Sequence, residues 1–97
     1  MFSYYHIYAK AECPYCVMAI NLMHEVGYEF VLTLVDNSPE YYHKLKGKYD
    51  HQTVPMIVEH RLSGDEEFIG GFTELKEHFT EYLNATEDAE NPPDISE

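Results

Sequence analysis

A chain of 97 residues, with six Lys and Arg against 18 Asp and Glu and a formal net charge of −12, has the size of one domain around one core. That charge argues against a nucleic-acid or anionic-membrane partner, because phosphate surfaces are held by clustered Lys and Arg. No apolar run reaches the roughly 18 residues of a membrane span, and the opening residues Met1 to His6 lack the basic and then apolar regions of a secretory signal. A soluble, cytoplasmic protein is expected.

Residues 3–8, rich in aromatic and β-branched side chains, predict a first strand. A loop over 9–12 follows, and Pro14 then marks a helix start, where its missing N–H costs nothing. Val17, Ala19, Ile20, Met23 and Val26 predict the buried stripe of that helix, with Gly27 ending it. Residues 29–35 form a mostly apolar run expected to be a strand covered on both faces. Asp36-Asn37-Ser38-Pro39 reads as a turn and helix start, and a short polar helix is expected from Glu40 to Lys46, stopped at Gly47. Met56 to Glu59 predicts a third strand, and a Ser-Gly-Asp turn joins it as a hairpin to a fourth at Glu67 to Ile69. Gly70-Gly71 breaks that strand, and a last helix from about Thr73 to Leu83 would bury Leu75, Phe79, Tyr82 and Leu83. From residue 85 the chain is acidic, has two prolines and offers little to bury, so 85–97 is expected to be a disordered tail on a domain of residues 1–84. The order βαβ then ββα implies one mixed sheet with helices on its faces.

The two cysteines, Cys13 and Cys16, are three positions apart. A disulfide scaffold would need more crosslinks over longer loops. A structural zinc site would need four ligands, and there is no second Cys-x-x-Cys, while the six histidines are scattered without ligand spacing. A redox pair is the better reading, and no metal is expected. Thiol–disulfide exchange needs a thiolate, and an ordinary cysteine is mostly protonated at neutral pH. At a strand-to-helix junction, backbone N–H groups and the positive end of the helix favour the charged sulfur. Cys13 stands at such a junction, and Cys16, about one turn on, can resolve a mixed disulfide formed on Cys13.

Cys13-Pro14-Tyr15-Cys16, then Thr53-Val54-Pro55, then Gly70-Gly71, with Lys10 three residues before Cys13, occur in the order and spacing of a dithiol glutaredoxin. The chain resembles that family from residue 3 to about 83, with the Ile-Gly-Gly-Phe run and short length similar to phage-encoded members. The resemblance implies a thioredoxin-like α/β fold, a four-stranded mixed sheet flanked by three helices. It implies glutathione as reductant, and glutathionylated or disulfide-bonded proteins, for example ribonucleotide reductase, as substrates of a monomer. It also implies a cis Pro55 facing the cysteines. Lys10 and Gln52 would meet glutathione's glycine carboxylate, and the backbone of Val54 before Pro55 would bind its cysteine moiety like an added strand, with Thr53 of the same run also in the site. Gly71, Phe72 and Thr73 would take the γ-glutamyl end, and Tyr15 would border the pocket. Lys44, Lys46 and Lys48 would join Lys10 in supplying positive potential, although they also fit a solvated helix face.

Two residues depart from the family. Glu12 stands before the nucleophile where a small or hydroxylated residue is frequent, and a carboxylate there opposes the helix dipole. Glu74 replaces a frequent aspartate, and its longer side chain is expected to lose a contact to the γ-glutamyl amine. Two other functions share the motif: a redoxin reduced by thioredoxin reductase, against which Lys10 and Thr73 argue, and a dimeric iron–sulfur cluster module, against which Pro14 and the second cysteine argue.

Overall fold

The computed structural model describes residues 3–80. Four strands form one sheet in the order β2-β1-β3-β4, where β1 is Ser3–Ala9, β2 Phe30–Leu34, β3 Met56–Arg61 and β4 Glu66–Gly70. β1 pairs parallel with β2 and antiparallel with β3, and β3 pairs antiparallel with β4. The helices are α1, Pro14–Val26, α2, Pro39–Tyr49, and α3, residues 72–80. Residues 82, 83 and 85–97, expected to be helix end and tail, lie outside the described residues.

Strand alternation divides the core in two. Tyr5, Ile7 and Ala9 of β1, with Ile57 of β3, face α1 and α3, where they meet Ala19, Met23, Leu75 and Phe79. Tyr8, Met56 and Val58 point the other way, toward Val35 and Leu45 of α2 and its approach. Val54 packs against both clusters, so the loop entering β3 is anchored from the two sides of the sheet.

α1 begins and ends as its residues dictate. Pro14 occupies the first turn, and Gly27 closes the helix at φ 81°, its N–H donating to the Met23 carbonyl at 2.9 Å. Its buried stripe is Cys16, Ala19, Leu22, Met23 and Val26. Val17, expected in that stripe, is 52% exposed. The face is set by Cys16 turning inward, and Val17 lies about 100° further round the helix.

Two other expectations are corrected. β2 is an edge strand rather than one covered on both faces, and Val31, Leu32 and Leu34 are exposed. Its apolar run reflects strand propensity as much as burial. α2 continues through Gly47 to Tyr49 and is closed by Asp50 in the left-handed region, φ 52°, with its N–H directed to the Lys46 carbonyl. A glycine inside a helix costs only about 1 kcal/mol. The added turn brings the Tyr49 ring onto Phe68 of β4 at 4.7 Å between centroids, an aromatic contact of comparable worth.

Ile57 is wholly buried on the central strand β3, facing α1 and α3. Replacing it with alanine is expected to cost about 3 kcal/mol, the cost of a core cavity. Urea denaturation of wild type and Ile57→Ala at matched pH checks this.

Candidate redox site and adjoining cleft

Cys13 is the residue at which β1's continuation becomes α1. Its backbone is extended, φ −148° and ψ 101°, and its sulfur accepts from the Cys16 N–H at 3.2 Å while its carbonyl accepts from the Val17 N–H at 3.1 Å. The sulfur thus takes the place of the side-chain oxygen that usually caps a helix. Cys13 and Cys16 are joined as a disulfide, their Cα atoms 5.2 Å apart. Cys16 is buried in the α1–α3 core, whereas Cys13 is half-buried. An incoming sulfur therefore meets Cys13 first. In the dithiol form, the N–H groups of the first turn and the helix dipole would stabilise a Cys13 thiolate.

The loop before Cys13 is held by a contact the sequence did not suggest: the Ala11 N–H donates to Asp36 Oδ2, 3.2 Å away, in the turn after β2. Opposite the cysteines lies the loop 51–55. The Val54–Pro55 peptide is cis, and the Val54 carbonyl oxygen stands 3.9 Å from Cys13 Sγ. From there a cleft of about 240 Å³ runs between Thr53-Val54-Pro55 and the start of α3 at Gly71-Phe72-Thr73, with Tyr15 at its edge. Tyr15 and Phe72 lie 6.3 Å apart between ring centroids.

Seven of the nine residues expected to bind a ligand thus border one cleft. Lys10 and Gln52 do not line it. Lys10 Nζ sits 4.8 Å from the centre of the Tyr42 ring, and Lys46 Nζ sits 4.7 Å from the same ring. The Tyr42 hydroxyl donates to the Gln52 carbonyl at 3.4 Å, so this ring links Lys10 to the loop that carries Gln52. Lys48 is directed away, to Glu66 at 3.6 Å. Among the described residues no group of three or more His, Cys, Asp or Glu could hold a metal ion. No described helix is long and apolar enough to cross a membrane.

Two lining residues lay outside the expected set: His51 and, in an unexpected role, Glu74. Glu74 Oε1 accepts from the Gly71 N–H at 2.8 Å, the reciprocal half of a capping box at the start of α3. The longer acid folds back over the diglycine. A Cβ on Gly70 would stand 2.8 Å from Glu74 Cγ, and Gly70 itself has φ 124°, a conformation open to glycine. The Gly71 N–H, with Glu74's own N–H and then nearby His51, holds the Glu74 carboxyl below the usual glutamate range.

A Cys-x-x-Cys disulfide at a helix start, set against a cis proline on a four-stranded mixed sheet, defines a thiol–disulfide oxidoreductase of thioredoxin-like fold. The glutaredoxin family model matches residues 6–61, and the chain belongs to that family. It is 34% identical to a glutaredoxin of Neisseria meningitidis over 70 residues, which is 71% of this chain and 76% of the relative. Among solved structures, glutaredoxin 1 of Francisella tularensis, complexed with cacodylate, is 30% identical at a TM-score of 0.63, covering 84% of this chain and 98% of that one. A buckwheat glutaredoxin–glutathione complex shares the fold at a TM-score of 0.69 and 19% identity, covering 82% of this chain and 71% of that one.

Because Glu74 has a lowered carboxyl pKa in the folded state, its stabilisation is present above the usual glutamate range and is lost as pH falls through the folded value. Glu74→Ala is expected to cost about 1 kcal/mol at pH 7, the net worth of one hydrogen bond. The difference from wild type should narrow below about pH 4. Denaturant midpoints at both pH values check the sign.

Proposed function

We propose that the protein uses glutathione to reduce protein–glutathione mixed disulfides and protein disulfides, with ribonucleotide reductase as one candidate substrate, and acts as a cytoplasmic monomer. The observation that carries this reading is the cleft running from beside Cys13 along Val54 and Pro55 to Gly71-Phe72-Thr73. In it, an extended γ-glutamyl-cysteinyl peptide would lie with its sulfur at Cys13. Its cysteine moiety would pair with the Val54 backbone in the manner of an added strand, flanked by Thr53 and Pro55. The γ-glutamyl carboxylate would meet N–H groups at the start of α3, with the Thr73 hydroxyl and Phe72 beside it. Lys10 and Gln52, linked through Tyr42, would receive the glycine carboxylate from outside the cleft, and Tyr15 would cover the sulfurs.

In the reaction, the Cys13 thiolate attacks the glutathionyl sulfur of a mixed disulfide. The old S–S bond breaks, the protein thiolate leaves and takes a proton, and Cys13 carries glutathione. A second glutathione thiolate attacks that sulfur, releasing oxidised glutathione and restoring the Cys13 thiolate. With a protein disulfide, Cys13 forms the mixed disulfide and the Cys16 thiolate displaces the second protein sulfur. The product is the Cys13–Cys16 disulfide, the state of this structure, which two glutathiones reduce.

The roles separate by substitution. With glutathione as sole reductant, wild type should turn over a small glutathione mixed disulfide, and Cys13→Ser should fall to background. Cys16→Ser should keep deglutathionylation and lose protein-disulfide reduction. Full activity of Cys13→Ser, or no wild-type turnover by folded protein with titratable thiols, would overturn the assignment.

A further inference from the structure

Among the described residues lining the cleft, His51 and Glu74 contribute an imidazole and a carboxylate. Both stand beside Gly71. A Cβ added to Gly71 would stand 3.4 Å from Glu74 Oε1, 3.8 Å from His51 Nε2 and 3.6 Å from the Pro55 carbonyl oxygen. The imidazole is held there from two further sides. Its Nε2 is 3.3 Å from Thr53 Oγ1, and its ring stands edge-on to Phe68 of β4 at 5.3 Å between centroids. His51 therefore sits at the one place where the cis-proline loop, the diglycine and the first turn of α3 come together.

The charge at that point matters for an anionic ligand. With His51 neutral, the lining carries the single negative charge of Glu74. With His51 protonated, the lining is neutral. Glutathione, with two carboxylates and one ammonium, is a net anion. We infer that His51 is a specificity-determining residue of this cleft, an imidazole whose protonation offsets Glu74 and strengthens the binding of γ-glutamyl peptides. The inference rests on the glutathione reading above and adds to it a residue and a direction of pH dependence.

Among the described residues, the groups around His51 are few. From α3 there is Glu74, and from its own loop the Thr53 hydroxyl. β4 contributes the uncharged Phe68 ring, and α1 contributes Tyr15 at the cleft edge. Asp50, its chain neighbour, is exposed at the end of α2. The Gly71 N–H favours the charged form of the Glu74 carboxyl. The net charge beside the ligand is then governed by the imidazole.

The test uses the disulfide form of the full chain, in which neither cysteine titrates, and S-methylglutathione, which has no thiol. Its dissociation constant is measured by calorimetry from pH 8 to pH 5.5 at constant ionic strength. Wild type should bind about fivefold more tightly at the lower pH, the effect of one unit charge at about 4 Å in a water-like medium. His51→Gln should bind at the weak limit with little pH dependence, and His51→Lys, charged throughout, should bind at the tight limit with equally little. A His51→Gln protein that retains the wild-type pH dependence, or a wild type whose affinity is flat, would overturn the role of His51. Absence of wild-type binding at every pH would instead overturn the glutathione reading on which it stands.

Discussion

The structure depends on one local constraint: the sulfur of Cys13 lies where a helix-capping oxygen would ordinarily lie. An extended residue must precede α1, and Pro14 must occupy its first turn, for the Cys16 N–H to reach that sulfur. Once this is satisfied, Cys16 turns into the core and Cys13 faces outward, so the two chemically identical side chains acquire different duties. The rest of the fold keeps that junction in place. β1 delivers the chain to it, the Asp36 carboxylate tethers the intervening loop, and the doubly anchored Val54 closes the opposite wall.

The electrostatics of the site are arranged at a distance from the sulfurs. In a chain of net charge −12, two positive groups are gathered on a single aromatic ring, with Lys10 and Lys46 both resting on Tyr42. At the far end, Glu74 is committed to the helix start and His51 stands beside it. A bound anion would therefore lie between a fixed cationic cluster and a carboxylate whose influence varies with its histidine neighbour. Glu12, the other acid that departs from the family pattern, is exposed on the loop before Cys13.

Much of this was legible in the residues. Features written in short stretches could be read directly: Pro14 and Gly27 bounding α1, the hairpin around Gly64, and the three motifs that border the cleft. The errors arose where the outcome depends on what lies across space. β2 is as apolar as a buried strand, and only the strand order makes it an edge. Gly47 has the signature of a helix stop, yet the contact of Tyr49 with Phe68 carries the helix past it. Val17 has the right composition for a core face but the wrong angle once Cys16 is turned inward. His51 had no recognisable spacing to Cys13, and the one hint was its place two residues before Thr53. Glu74 was visible as a departure, but its reach back to Gly71 depends on a fold-back that the paired glycines permit.

The exposed edge of β2 links the composition of the chain to its behaviour in concentrated solution. Among the described residues, Val31, Leu32 and Leu34 present apolar side chains beside an unpaired backbone ladder, the kind of border along which copies of a protein can join into larger sheets. Nothing in the strand itself, such as a lysine, a proline or a bulge, blunts that border. The excess of acids over the whole chain supplies the remedy through mutual repulsion between copies. Its acidity thus acts as a colloidal safeguard for a surface left uncovered by the sheet order, and that safeguard weakens with added salt and with protonation of the carboxylates.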